Sequence, residues 1–298
     1  MSNEKILEIK NLKQYFKLNK NKVIKALDDI SLELYKGEVL GLVGESGCGK
    51  STLGKSIVGI NKITDGEIIY EGINISRNRK LQRKLVSNSI QFIFQDSTSS
   101  LNSRMTIGEI IAEPLNIKKV YKNKTERNEK VYEMMQLVGL DKNFIDKYPY
   151  DFSGGQRQRV AIARALSTNP KFIIADEPIA SLDVSMQAQI INLFKLLKNK
   201  GKLTCLFISH DLSTIRYISD RIAVIYRGRI VEIAETEKLY NNPIHPYTKS
   251  LIESILSPTL KTNDLELINV TKYKEQKYLE GKMKWNEVEK GHFVYGEY

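Results

Sequence analysis

The chain has 298 residues and a formal net charge of +11, with 27% charged and 41% hydrophobic side chains. This length allows one large domain or two small ones, and the composition is that of a chain with a buried core. It has no apolar run of the roughly 18–20 residues needed to span a membrane, and the charged segment Met1–Lys10 does not resemble a secretion signal. Two cysteines give neither a disulfide framework nor metal-ligand spacing, so we expect a cytosolic protein.

The first predicted elements are strands. Ile6–Ile9 and Ile30–Leu34 alternate apolar and polar residues, which indicates half-buried strands of an antiparallel sheet. Gly37 then turns the chain into the apolar run Val39–Val43, which predicts a buried strand, and Thr52–Val58 predicts the start of a helix.

A glycine-rich loop, Gly44–Ser51, lies between this strand and this helix and fits the pattern G-x-x-x-x-G-K-[ST]. Glycines let backbone N–H groups curl around phosphate oxygens, and the helix N-terminus adds a positive partial charge. The pattern predicts that Lys50 reaches the β- and γ-phosphates and that the Ser51 hydroxyl ligates Mg²⁺. Cys48 fills a variable position of the loop.

Further strands are predicted at Ile68–Tyr70 and Ile90–Phe94, and Gln95 follows the second of them. Apolar residues with helical spacing between Thr106 and Leu140 then predict two helices inserted between strands, the second ending at Gly139.

A second predicted phosphate-binding helix start is the run Ser153–Gln156. Ser153 can cap the helix, the glycines expose N–H groups, and the helix dipole favours an anion. The chain therefore has two helix N-termini suited to phosphate.

Two apolar runs, Phe172–Ala175 and Leu203–Ile208, are separated by a predicted helix, which indicates a parallel sheet covered on both faces. Asp176 and Glu177 follow the first run, as a predicted Mg²⁺ ligand and a predicted general base for the attacking water. His210 follows the second run at the edge where such sheets bind ligands.

The last predicted elements are a hairpin over Arg221–Ile233 and a helix introduced by Pro243 and Pro246; beyond Pro258 the pattern weakens to a polar extension. Basic residues cluster at 77–84 and 118–130. We interpret these clusters as solvated loop and helix surfaces; binding to nucleic acid or to an anionic membrane surface is the alternative.

Taken in order, these motifs resemble the ATP-binding subunit of the ABC importer family through residue 256. The resemblance implies an α/β fold: a P-loop NTPase core with a mostly parallel sheet, an antiparallel β subdomain, a helical insertion subdomain and a short C-terminal extension. It places a nucleotide-binding domain at residues 1–256, with the insertion at about 97–166, and the extension at 257–298.

The resemblance also implies the site residues, with ATP and Mg²⁺ as cofactors. The catalytic residues would be Glu177, His210, Lys50 and Gln95. The nucleotide would contact the adenine-stacking Phe16 or its neighbour Tyr15, the loop residues Gly44, Glu45, Ser46, Gly47, Cys48, Gly49, Lys50, Ser51 and Thr52, then Gln95, the signature residues Ser153, Gly154, Gly155 and Gln156, and finally Asp176 and Asp183. Magnesium would be held by Ser51, Gln95 and Asp176.

Within that family the chain resembles the oligopeptide/dipeptide/nickel group, and most of all the F-type subunit of oligopeptide permeases. The segments that carry this are Gln95–Asn102, Phe152–Arg159, Ser181–Ser185, Asn242–Thr248 and Gly291–Val294. Many relatives carry cysteines in the C-terminal extension that ligate an iron–sulfur cluster; this extension has none, so no cluster is expected.

The function implied is ATP hydrolysis that energises peptide import at the cytoplasmic face of the membrane. The implied partners are a paralogous or identical ATP-binding subunit in a head-to-tail dimer, two transmembrane permeases and an extracellular solute-binding protein, with no nucleic acid. Import of nickel or another small solute stays open as an alternative. A soluble ABC ATPase that acts on nucleic acid or ribosomes is an alternative of another class, motivated by the basic charge.

Overall fold

A computed structural model describes residues 4–19, 22–95, 100–180, 182–201, 203–256 and 284–296. Strands of this part of the chain form two sheets, and none of the helices in these ranges is long and apolar enough to cross a membrane. The sequence predictions for Ser181, for Asp96 and Ser97, and for residues 257–283 lie outside the described residues.

The smaller sheet is antiparallel and has the strand order β2-β1-β4-β5. Its strands are β1 (Lys5–Asn19), β2 (Lys22–Tyr35), β4 (Asp65–Tyr70) and β5 (Ile73–Asn74). The predicted antiparallel sheet is therefore confirmed, but β1 and β2 are much longer than their apolar patterns. Their far ends are solvent-exposed, and exposed strand ends lack the alternation that predicts a strand.

The larger sheet has eight strands in the order β11-β12-β10-β9-β3-β8-β7-β6. They are β3 (Val39–Val43), β6 (Ile90–Ile93), β7 (Phe172–Asp176), β8 (Cys205–Ser209), β9 (Arg221–Tyr226), β10 (Arg229–Glu235), β11 (Lys284–Glu289) and β12 (His292–Gly296). The five strands from β9 to β6 in this order are parallel, and β10, β12 and β11 add antiparallel pairs. The predicted mostly parallel core is confirmed.

Helices cover this sheet. They are α1 (Lys50–Ile57), α2 (Arg79–Ser89), α3 (Ile107–Lys118), α4 (Lys124–Leu137), α5 (Gly154–Leu166), α6 (Val184–Asn199), α7 (Leu212–Ile218), α8 (Thr236–Asn241) and α9 (Pro246–Leu256). Apolar faces of α3, α4 and α5 join one hydrophobic core, which contains Ile110, Met134 and Val160. A second core lies between the two sheets and contains Ile9, Leu40 and Ile68.

Several regular segments have no counterpart among the predicted elements: β5, α2, α7, α8 and the β11–β12 pair. Helix α2 is capped by Asn78, whose side chain accepts a hydrogen bond from the Leu81 N–H at 3.0 Å. The β11–β12 pair, which we call the C-terminal hairpin, extends the larger sheet, with Glu232 of β10 opposite Val294 of β12. Its residues fall within the predicted polar extension, so part of that segment completes the core sheet.

Strands β3, β6, β7 and β8 run in the same direction, so their carboxyl ends meet at one edge of the sheet. Each of the four ends is followed by a segment that carries predicted chemistry: the loop Gly44–Ser51, then Gln95, Glu177 and His210. The topology therefore collects four sequence-distant segments at a single edge.

Candidate functional site

The glycine-rich loop Gly44–Ser51 connects β3 to α1 and packs tightly against its neighbours. A Cβ atom on Gly44 would lie 2.2 Å from the Ile225 carbonyl oxygen, and one on Gly49 would lie 2.4 Å from the Ala26 carbonyl oxygen. Gly49 also has a φ of 113°, in the left-handed region, and makes no side-chain cap for α1. Helix α1 therefore begins without a protein cap on its first N–H groups, which is the arrangement that binds an anion.

Lys50 lies beneath this loop and is only 4% exposed. Its ammonium donates hydrogen bonds to the carbonyl oxygens of Gly44, at 2.6 Å, and Glu45, at 2.8 Å. Since a buried cation is costly unless its protons are bonded, these two contacts stabilise the charge inside the loop. The same donors can serve phosphate oxygens.

Ser51 and Asp176 meet across the edge of the sheet. The Ser51 hydroxyl donates to Asp176 Oδ1 at 2.8 Å, which joins the first turn of α1 to the end of β7. Burial raises the pKa of the Asp176 carboxyl against the lowering effects of the Ser51 hydrogen bond and of Lys55 and Lys50. A positive ion at this point would therefore stabilise the carboxylate.

The donor chemistry of this pair fits Mg²⁺, which prefers one or two protein oxygen ligands and completes its shell with water and phosphate. Within the residues that the structure describes, no three His, Cys, Asp or Glu side chains converge into a metal cage. Ser51 and Asp176 can hold Mg²⁺ as two protein ligands, one hydroxyl and one carboxylate, with water and phosphate completing the shell.

Two side chains, each following a different strand, converge on one carboxylate oxygen of Glu177. The Gln95 amide nitrogen donates to Glu177 Oε2 at 3.1 Å, and His210 Nδ1 lies 3.1 Å from the same atom. The sequence predicts Gln95 as a magnesium ligand, and in this structure its amide nitrogen is engaged by Glu177. The contacts orient Glu177, which is 9% exposed and has a left-handed φ of 47°. That conformation is strained in a residue with a side chain, and such strain clusters at functional sites.

A cavity of about 360 Å³ opens between the loop and the antiparallel sheet. Its lining comprises Ile24, Lys25, Ala26, Ser46, Gly47, Cys48, Gly49, Lys50, Ser51, Thr52, Gln95, Glu177, Arg227 and Gly228. The loop residues, Gln95 and Glu177 are predicted site residues, and the β2 and β9–β10 turn residues are not. The Gly228 N–H donates to the Cys48 carbonyl at 2.9 Å, which brings that turn onto the loop.

Tyr15 and Phe16 lie on β1 next to this cavity, although neither lines it. The Tyr15 hydroxyl donates to Asp28, and burial, followed by that contact, raises the pKa of Tyr15 to about 12. Phe16 is 38% exposed and is paired across the strands with Ile24, which does line the cavity. An exposed ring beside the cavity is the one able to stack on a base, so the geometry favours Phe16 over Tyr15.

The signature run Ser153–Gln156 lies elsewhere, at the start of α5. The Ser153 hydroxyl accepts from the Gln156 N–H at 3.3 Å, and the Gln156 side chain accepts from the Ser153 N–H at 2.9 Å. Asp183 similarly caps α6, where the Met186 N–H donates to its carboxylate at 2.9 Å and lowers its pKa. None of these residues lines the cavity, so one chain does not bring the signature to its own loop.

One contact to the loop comes from a residue that the sequence does not predict for the site. The Glu45 N–H donates to the hydroxyl of Tyr247, in α9, at 2.9 Å. Tyr247 belongs to the His-Pro-Tyr segment that carries the subfamily resemblance, but nothing in its sequence neighbourhood indicates contact with a loop about 200 residues away.

Comparison with known proteins gives two family matches. The model described as ABC transporter matches residues 27–180, and the model described as oligopeptide/dipeptide transporter, C-terminal region, matches residues 231–283. The oligopeptide transport ATP-binding protein OppF of Bacillus subtilis is 52% identical, across 98% of this chain and 96% of that protein. The dipeptide transport ATP-binding protein DppF of Lactococcus lactis is 49% identical, across 86% of this chain and 82% of that protein.

Solved structures agree with these matches. A dimeric structure of MJ0796, a bacterial ABC transporter cassette, superposes with a TM-score of 0.71 at 31% identity, covering 77% of this chain and 98% of that one. A dimeric post-hydrolysis state of the same cassette, bound to ADP and Pi, has a TM-score of 0.70 at 31% identity with the same coverage. The chain therefore belongs to the ABC transporter family, as an ATPase cassette with the C-terminal region of oligopeptide and dipeptide transporters.

Proposed function

We propose that this chain is the ATP-hydrolysing subunit of an importer for oligopeptides or dipeptides, attached to the cytoplasmic face of the membrane. The observation that carries this proposal is the 52% identity to an oligopeptide transport ATP-binding protein over 98% of the chain. The match extends through the C-terminal region at 231–283, so it is not confined to the cassette common to all ABC ATPases.

In this proposal the loop and the start of α1 bind the nucleotide phosphates. Backbone N–H groups of the loop and the Lys50 ammonium donate to phosphate oxygens, and Phe16 stacks on the adenine. Ser51 and Asp176 would hold Mg²⁺, with Gln95 as a third ligand once it leaves Glu177. Mg²⁺ would supply positive charge to the phosphates.

Glu177 serves as the general base in this scheme. Gln95 and His210 both contact Oε2, and no described residue donates to Oε1, which is thus available to accept a proton from water. His210 is 52% exposed, so it can turn toward a phosphate oxygen as charge develops there. Its contact with Glu177 would make the carboxylate sensitive to that movement.

The complete site requires a second subunit, identical or paralogous. The signature at α5 lies away from the cavity of its own chain, and the similar MJ0796 cassette is dimeric. In a head-to-tail dimer each phosphate loop would face the signature of the partner. Two permeases and an extracellular solute-binding protein would complete the transporter.

The proposed base is tested by Glu177→Gln in the chain assembled with its partner ATPase subunit and permeases, with Glu237→Gln as the control. Glu237 is an exposed carboxylate paired with Arg216 at the surface. We expect Glu177→Gln to lower the hydrolysis rate by about 10²–10⁴-fold, the usual contribution of a general base. ATP affinity should stay unchanged, because the carboxylate does not bind phosphate. Wild-type turnover in Glu177→Gln would remove Glu177 from this role.

The cargo is tested by reconstituting the chain with its partner ATPase, permeases and binding protein in liposomes. Short peptides should stimulate ATP hydrolysis and accumulate in the lumen that represents the cytoplasm, whereas Ni²⁺ should do neither. Stimulation by Ni²⁺ alone would overturn peptide import within the same family. Stimulation by RNA or DNA without permeases would overturn the transporter assignment itself.

A further inference from the structure

A buried residue of the C-terminal region, Tyr247, forms a hydrogen bond with the backbone of the glycine-rich loop. Tyr247 is 4% exposed, and its hydroxyl oxygen accepts the Glu45 N–H at 2.9 Å. Glu45 is the second residue of the loop, and its own side chain is exposed. A buried tyrosine hydroxyl bonded to the backbone of the loop cannot act by contact with solvent, so its effect must be on the shape of the loop.

The contact controls one peptide group in particular. The Glu45 N–H and the Gly44 carbonyl belong to the same planar unit, whose two ends point in opposite directions. Tyr247 fixes the N–H end, and Lys50 fixes the carbonyl end at 2.6 Å. When Lys50 turns to a phosphate, the Tyr247 hydroxyl is the contact that still orients this peptide.

The position of Tyr247 is itself determined by its surroundings. Its ring packs on Tyr226, with 4.3 Å between ring centroids, and its N–H donates to His245 Nδ1 at 3.2 Å. Burial lowers the pKa of His245 to about 4, so the ring is neutral near neutral pH. The tautomer with its proton on Nε2 can then accept at Nδ1.

The segment before Tyr247 is anchored on Glu232, a fully buried carboxylate of β10. Its two oxygens accept the backbone N–H groups of Ile244, at 2.9 Å, and His245, at 3.0 Å. A third contact, at 2.7 Å, comes from His292 Nε2 of the C-terminal hairpin. A buried carboxylate needs all of its donors, because losing one leaves charge uncompensated.

We propose that Tyr247 is a positioning residue for the phosphate loop and that the C-terminal hairpin sets its position through Glu232. The contacts form one continuous path from His292 to Glu232, to the backbone of residues 244–245, to Tyr247 and to Glu45. The affinity for nucleotide phosphates is therefore coupled to the docking of the hairpin on β10. This goes beyond ATP hydrolysis, since it assigns a role to the C-terminal region within the chain.

The first test is Tyr247→Phe, which keeps the ring and removes the hydroxyl. The loss of one hydrogen bond should weaken ATP affinity, and raise the KM for ATP, by about fivefold, while kcat changes less than about twofold. The control is Tyr35→Phe, which removes a part-buried hydroxyl that donates to Glu33 at 2.9 Å, at the end of β2 and outside the cavity lining. A purely structural role would lower the melting temperature of both variants alike and leave the KM unchanged, which would overturn the proposal.

The second test examines the path from the hairpin. His292→Ala should weaken ATP affinity several-fold in the full-length chain, and His292→Gln, whose amide can donate to Glu232, should recover most of it. In the Tyr247→Phe background, His292→Ala should add little, because the path is already interrupted.

If the fold-loss of ATP affinity in the double variant equals the product of the losses in the two single variants, the coupling is overturned. Unchanged ATP affinity in His292→Ala, measured per folded molecule by binding stoichiometry, would do the same. If His292→Ala does not fold, His292→Gln and His292→Asn give the comparison, because the shorter amide of Asn does not reach Glu232. Equal ATP affinities of those two variants would then contradict the proposal.

Discussion

Two helix starts in this chain are predicted to bind phosphate, and the structure builds them in opposite ways. Helix α1 begins at Gly49, which is left-handed and offers no side-chain cap. Helix α5 begins at Ser153, where Ser153 and Gln156 cap each other reciprocally. The first start is enclosed by β2 and the β9–β10 turn, whereas at the second start the capping residue Ser153 is exposed.

This difference separates two modes of anion binding. At α1 the backbone N–H groups carry the interaction and need a ligand to satisfy them. At α5 the Ser153 oxygen accepts the Gln156 N–H, which leaves its hydroxyl able to donate to an acceptor. In the proposed function, the first start would bind phosphate within its own chain, and the second would bind a nucleotide held by another subunit.

The largest effect that distinguishes the two starts should come from adding one methyl group to each. Gly49→Ala places a Cβ 2.4 Å from a backbone oxygen at a φ of 113°, so the loop must move. We expect ATP affinity of the chain alone to fall at least about a hundredfold, or roughly 3 kcal/mol. Gly154→Ala meets no described atom within 4 Å and should leave that affinity unchanged. Equal losses in equilibrium ATP binding would contradict the distinction.

A smaller effect should appear in the pH dependence of the unfolding free energy. It comes from His245, which lies next to the Tyr247 contact on the α1 side. The pKa of His245, at about 4, is below its usual 6.5, so the unfolded chain takes up the proton first as pH falls between these values. This residue should make the free energy of unfolding about 2 kcal/mol lower at pH 5 than at pH 7.5.

His245→Asn keeps an acceptor for the Tyr247 N–H but cannot be protonated in this range. Its unfolding free energy, from denaturant titrations at each pH, should therefore depend less on pH by that amount. Parallel curves for the variant and the unmodified chain would show that His245 is not the titrating group.

The smallest effect should come from the cap of α5. Ser153→Ala loses the cap and should lower the unfolding free energy by about 1 kcal/mol, whereas Ser153→Asp keeps a capping oxygen and should not. Both should leave ATP binding by the chain alone unchanged. In the assembled transporter both should slow hydrolysis, by roughly tenfold, since one lacks the hydroxyl and the other adds a repelling charge. Normal hydrolysis with Ser153→Asp would remove the hydroxyl from the composite site.

The features that the sequence predicts well are those with local causes. A fully buried strand reads as a continuous apolar run, and β3, β7 and β8 are such strands. Because parallel strands align their carboxyl ends, Glu177 and His210 could be placed at one edge before any contact was known. In the structure His210 Nδ1 lies 3.1 Å from Glu177 Oε2 at that edge, and the roles assigned to the two residues stay predictions.

The features that the sequence does not predict depend on partners far along the chain. Helix α2 is mostly basic and polar, and its apolar side is short: only Leu85 and Val86 are hydrophobic residues of this helix packed against the core between the sheets. So short an apolar side is hard to recognise as the face of an amphipathic helix. Strand β12 is recognisable only once β10 is beside it. The contact between Tyr247 and Glu45 likewise depends on how α9 packs, which no local pattern specifies.

The hydrogen bonds of Lys50 affect which anions the loop can select. Because its ammonium already donates to two carbonyl oxygens, phosphate binding exchanges hydrogen bonds instead of adding them. The net gain is the difference between charge-assisted contacts to phosphate and contacts to neutral carbonyls. A polyphosphate with several negative charges gains much from that exchange, whereas chloride or a single carboxylate gains little. If the loop binds phosphate as proposed, it would therefore discriminate against abundant small anions without a side chain devoted to excluding them.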